Sequence, residues 1–326
     1  MTRHIVACLA LAGVAAGCRP KLEEADEFRR GVPREETVTA QVPSKGQGQA
    51  LTVEGQSQAL QGLPAEYWGL TFGVSTIING GAAFVGILVK TVVSFPPTTI
   101  APDRAVWGPF SGALDPITWR VTVDRVGDHK FHYQFDGQSK LSPGGWVTVL
   151  AGTHTAALDD QGDPIEGFGA GSFTLDWDAR QMLPLANPNE VGKANYSYSR
   201  LPGQTATISA QFRKVKDKDK GTLVDLDYAY THHAGGSGTM DFAYDAAAQL
   251  NMADGRATVH SRWQANGAGR ADAKLTSSAL PGGATASECW STVFGSTFFA
   301  HSWNPALDYG VEATDCVYVG AEFSSL

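Results

Sequence analysis

From residue 104 onward the chain alternates apolar or small residues with polar ones, the period expected of strands with one buried face. The runs "TWRVTVDRV" (118–126), "KFHYQFD" (130–136), "SFTLDWD" (172–178), "ANYSYS" (194–199), "TATISAQFR" (205–213), "LVDLDYAY" (223–230), "TMDFAYD" (239–245), "ATVHSRW" (257–263) and "RADAKL" (270–275) all follow it. Turn pairs separate them, among them Gly127-Asp128, Pro202-Gly203, Gly235-Gly236 and Asn266-Gly267, and hairpin-sized gaps make successive strands antiparallel neighbours. No helical pattern of crossover length intervenes, which argues against a parallel sheet. The pattern predicts a mainly β fold, a long-stranded antiparallel up-and-down meander. Long meandering strands curl, so a barrel or a strongly curved sheet is expected.

The stretch "YWGLTFGVSTIINGGAAFVGILV" (67–89) carries no charge. Its larger apolar residues fall at near-helical spacing, and Pro96-Pro97 supply a stop, so a helix to about Phe95 is predicted. Its length alone permits a membrane span. Its glycines and the polar side made by Thr71, Ser75, Thr76 and Asn79 favour instead a helix packed on or in the β structure.

Ahead of the helix the composition changes twice. Residues 19–63, as in "KLEEADEFRRGVPREETVTAQVPSKGQGQ", offer few core residues, and such a segment is expected to stay a flexible tether. Residues 1–17 have a basic start, a short apolar run and small residues before Cys18, the layout of a secretory signal. The ending "LAGVAAGC" resembles the lipobox of bacterial lipoproteins, although Ala15 stands where that motif usually has Leu. The resemblance implies acylation at Cys18 and, with Arg19 following it, anchoring in the outer membrane. A plain secretory signal that ends near a cysteine is the alternative. The expected organisation is a signal peptide at 1–17, a lipidated tether at 18–63 and one domain of helix plus barrel at 64–326.

Net charge is −8, and becomes −9 if Arg3 leaves with the signal. That balance argues against nucleic acid as a partner. In an oxidising compartment the remaining cysteines, Cys289 and Cys316, read as a disulfide.

Candidate chemistry is sparse. The chain has no G-x-S-x-G elbow, no H-E-x-x-H and no phosphate-binding glycine loop in strand-to-helix context. Asp176 and Asp178, and likewise Asp225 and Asp227, are spaced by two, so each pair shares a strand face opposite its apolar neighbours. A solvated face explains them; acid/base work or a cation site is the sharper alternative. His232 and His233 are adjacent and point to opposite sides of a strand, a poor metal pair, and no metal or cofactor is expected. Arg270, Asp272 and Lys274 share a face, where cross-strand ion pairing with Arg262 or another neighbour is expected. Tyr196, Tyr198, Tyr228, Tyr230, Phe242, Tyr244 and Trp263 fall on the apolar sides of consecutive strands. They form either an ordinary core or the lining of a pocket for a hydrophobic or amphipathic ligand.

The segments "AVWGPFSGALDPITWRVTV", "GSFTLDWDA", "SRWQANGAGRADAKL" and "ASECW" resemble those of uncharacterised predicted lipoproteins from myxobacteria-like Gram-negative bacteria. That resemblance implies a secreted β-rich lipoprotein and supplies no activity. The leading expectation is a non-catalytic, lipid-anchored envelope protein that binds or shields a hydrophobic ligand. Two alternatives stand beside it: a structural or protein-interaction lipoprotein, and an enzyme acting on envelope glycans or lipids through an Asp pair. A membrane-embedded barrel fits the strand lengths, but the ending "AEFSSL" lacks a terminal aromatic.

Overall fold

The computed structural model describes residues 25–44, 61–142, 144–216, 221–247 and 252–326; the signal stretch and Cys18 lie outside them. Fourteen strands form one sheet: β1 (Thr99–Ala101), β2 (Arg104–Phe110), β3 (Ile117–Gly127), β4 (Lys130–Ser139), β5 (Val147–Leu158), β6 (Pro164–Asp176), β7 (Lys193–Arg200), β8 (Ala206–Lys216), β9 (Leu223–His232), β10 (Gly238–Asp245), β11 (Arg256–Trp263), β12 (Gly269–Ser277), β13 (Leu280–Trp290) and β14 (Ser296–His301). They pair in chain order from β1 to β14, every neighbour antiparallel. The fold is mainly β, as the alternation predicts.

The sheet is neither closed nor strongly curled, which corrects the expectation of a barrel. Closure needs β1 to pair with β14, and one strand is too short and the other is already engaged. β1 has three residues. On β14, Phe299 exchanges both backbone hydrogen bonds with Tyr309, and Ser296 exchanges bonds with Gly62 and Leu63. Its outer edge is therefore already taken by the chain itself.

A long helix (Glu66–Ser94, 29 residues) crosses the strands on one face, close to the 67–95 predicted. Trp68, Thr71, Val74, Ser75, Ile78, Gly81 and Val85 make up its buried side, which recurs every three or four residues. Its polar members are satisfied: Thr71 Oγ1 donates to Tyr67 O at 2.7 Å and Ser75 Oγ to Phe72 O at 2.7 Å. At its start Trp68 lies on Trp290 of β13, with ring centroids 5.6 Å apart. Midway, Tyr196 of β7 donates to Ile78 O at 3.2 Å, and at the end Trp107 Nε1 of β2 donates to Phe95 O at 3.0 Å. A helix of this length spans about 44 Å, enough to cover most of a sheet whose strands are about 4.8 Å apart.

Residues 25–44 run the opposite way on the same face, and here the tether reading is corrected. Phe28 is fully buried and meets Phe131 of β4 edge-on at 6.0 Å. Thr37 Oγ1 donates to Gly167 O at 3.0 Å, and the Tyr230 hydroxyl accepts from Gln41 N at 2.8 Å while donating to Gln41 O at 2.9 Å. Asn79 of the helix takes both backbone groups of Ala40, accepting from its N–H at 2.8 Å and donating to its carbonyl at 3.1 Å. A few well-spaced apolar residues, Phe28, Val32, Val38 and Ala40, are enough to dock the segment, because the wide sheet offers each a ready-made apolar site.

Candidate functional site

The seven aromatics named from the sequence do share a face, and it is the face under the helix and residues 25–44. Tyr196, Tyr198, Tyr228, Tyr230, Phe242 and Trp263 are each at most 4% exposed, and Tyr244 is partly buried against the same core. They stack on one another and on neighbouring strands: Phe173 lies 4.5 Å from Tyr196 in parallel, and Phe212 meets Tyr228 edge-on at 5.5 Å. Burial pushes the Tyr230 phenol up to about 12 and those of Tyr196 and Tyr228 further still. The helix comes so close at Gly81 that a β-carbon there would collide with the Tyr196 hydroxyl. The chain's own segments thus occupy this surface.

One polar cluster within that core has no counterpart in the sequence reading. His154 Nδ1 lies 3.0 Å from the Tyr198 hydroxyl, and burial drives the imidazole down to about 4, so it is neutral near pH 7. Three glycines make room for these rings. A β-carbon on Gly169 would strike the His154 ring, one on Gly171 the Tyr198 hydroxyl, and one on Gly152 the Tyr133 hydroxyl. The run "GFGAG" (167–171) was the available signal, since alternate glycines in a strand mark places where something bulky approaches the backbone.

The carboxylate pairs are dispersed by their surroundings. β6 ends at Asp176, which accepts from Ala179 N at 2.8 Å to start a helical turn (Trp177–Arg180) and pairs with Lys193 at 2.7 Å. Asp178 therefore sits in the turn, accepting from Gly192 N at 2.8 Å, and does not share a strand face with Asp176 as the alternation suggests. On β9, Asp227 is held below the usual carboxylate range by Arg213 at 2.6 Å and Arg256 at 3.0 Å, against the opposing effect of burial. Asp225 accepts from Lys214 N at 2.8 Å. It lines an open cleft of about 940 Å³ at one end of β8–β13, together with Asp245, Asp254, Lys214, Arg256 and Lys274. Both charge signs line this cleft, and Asp254 is committed to Ser277 and Ser278, whose hydrogen bonds lower its pKa. Among the described residues, no group of three or more His, Cys, Asp or Glu side chains is placed to hold a metal ion.

The opposite face of the sheet carries a buried ionic cluster. Asp272 accepts from Arg270 Nε at 2.8 Å and from Ser287 Oγ at 2.6 Å, and lies 3.5 Å from Arg262 Nη2, the cross-strand pairing that the spacing predicts. Residues 312–322 lie over this cluster, stapled by the Cys289–Cys316 disulfide. Tyr318 stacks near Arg262 at 5.1 Å. Comparison of the chain with protein-family models, with curated proteins and with solved structures finds no match.

Proposed function

We propose that this protein is a non-catalytic structural or protein-interaction component of the bacterial envelope, held to the outer membrane by a lipid on Cys18. One observation carries the choice over ligand binding: the aromatic face that would receive a hydrophobic ligand is packed against the long helix and residues 25–44. A ligand would have to displace a helix fastened to β7, β11 and β13. The carboxylates considered for catalysis serve as turn caps and ion-pair partners, which supports the same reading.

The test is cross-linking in cells that express the anchored chain, which is expected to trap a stable protein partner. Mass spectrometry of the chain purified without its anchor is expected to find no co-purifying lipid. A stoichiometric lipid would reverse the choice in favour of ligand binding. Replacing Cys18 by Ala is expected to move the chain from the membrane to the soluble fraction, and retention in the membrane would remove the anchor from the proposal.

A further inference from the structure

The two arginines on the face away from the helix draw most of their acceptors from one short stretch. Arg270 Nη1 donates to the Glu312 carboxylate and to Tyr318 O at 3.1 Å. Arg262 Nη2 donates to Gly320 O at 2.6 Å, and its Nη1 pairs with Glu322. The sheet itself contributes one carboxylate, Asp272, to two guanidiniums. Without residues 312–322 the site is a net cation with several buried donors left unmatched, a costly arrangement.

Residues 312–322 behave as a ligand on this site and not as a layer of core. The carboxylates of Glu312 and Glu322 reach the two guanidiniums from the solvent side, while Val317, Val319 and the following Phe323 turn to solvent, each more than 40% exposed. Hydrogen bonds and ion pairs hold them, Glu322 N–H to Asp272 at 2.9 Å among these, together with the single covalent link at Cys316. The match is incomplete. Arg262 is 7% exposed, yet its Nε has no hydrogen-bond partner, so one prong of a fork suited to bidentate carboxylate recognition is unused.

We propose that the Arg262–Arg270 face is a binding site for an acidic peptide segment, that residues 312–322 occupy it as an internal ligand, and that the Cys289–Cys316 disulfide keeps them there. A dithiol reductant opens the gate. It donates two electrons and two protons, the S–S bond breaks, two protein thiols form, and the reductant leaves as its own disulfide. Reduction frees residues 312–322 to leave the site, whereas Tyr309 remains paired with Phe299 on the edge of β14. This gives the interaction reading a specific site and to that extent rests on it. A partner cross-linked elsewhere on the sheet would leave that reading standing while this one fails.

The probe is a fluorescent peptide of residues 311–326 carrying Cys316→Ser, titrated into the full chain and followed by anisotropy. It is expected to bind the dithiothreitol-reduced chain at least ten times more tightly than the oxidised chain, and to bind a Cys316→Ser chain without reductant. The same peptide with Glu312→Gln and Glu322→Gln is expected to bind the reduced chain at least ten times more weakly. Equal binding to oxidised and reduced chains, no binding to the reduced chain, or indifference to the two Gln substitutions overturns the proposal. Hydrogen exchange on the intact chain is an independent check. Reduction is expected to strip protection from residues 317–322 and leave β11–β13 protected; loss across β11–β13 would mean that the disulfide holds the sheet itself, and would also overturn it.

Discussion

The Glu288 carboxylate, on β13, accepts a hydrogen bond from the backbone N–H of Tyr67 at 2.7 Å and a second from Glu66 at 3.2 Å. A strand residue more than 220 positions away thereby caps the start of the long helix, whose own preceding residue, Ala65, has no side chain able to do so. Glu288 is buried, and burial outweighs these donors to push its carboxyl up to about 7. The folded state therefore holds this proton more tightly than the unfolded chain, where the group titrates near 4.5. Its contribution to stability is fullest below about pH 4.5 and declines as pH rises through 7, by about 3 kcal/mol in all. Glu288→Gln keeps an accepting carbonyl and is expected to level this slope in urea midpoints measured from pH 4.5 to 8.

His154 works in the opposite direction. Burial lowers its folded-state pKa to about 4 from 6.5, so the folded chain binds this proton less readily than the unfolded one. Stability is full above about pH 6.5 and is lost as pH falls through 4, again by about 3 kcal/mol. His154→Gln, which can still meet the Tyr198 hydroxyl, is expected to flatten the acid side of the profile and leave the alkaline side unchanged. An unchanged acid slope in that variant would rule His154 out as its source.

Two adjacent glycines test where the helix sits. Gly81 faces the Tyr196 ring with no space for a β-carbon, while Gly80 opens to solvent with nothing within 4 Å. Gly81→Ala is expected to destabilise by about 1–3 kcal/mol through overpacking. Gly80→Ala is expected to stabilise by up to about 1 kcal/mol through helix propensity. Opposite signs in thermal melts are the signature of a helix resting on β7 through this one face.

Phe28→Ala probes the amino-terminal segment. A side chain in a free tether costs nothing when removed, whereas the buried ring against Phe131 is expected to cost about 3–5 kcal/mol. Chemical denaturation of the two chains side by side separates these outcomes.

Period-two alternation made the antiparallel meander legible, because each strand has one buried and one wet face and needs no distant information to show it. β5 escaped this reading, since "VTVLAGTHTAAL" places small residues on both sides. β13 also escaped it, because "LPGGATASECW" has Pro and two Gly straight after its first residue. The long helix and the Cys289–Cys316 pair were likewise legible, one from spacing and stop signals, the other from cysteine arithmetic. Tertiary structure alone decided the rest. Whether a sheet closes depends on what competes for its edges, and here Tyr309 and residues 62–63 take β14. Whether aromatics line a pocket or a core depends on what lies across from them. Whether a polar-rich segment docks depends on the surface waiting for it, and residues 25–44 found one. Local pattern records how one residue meets its neighbours along the chain, whereas the occupant of a face is chosen by segments hundreds of residues away that compete to bury the same apolar area.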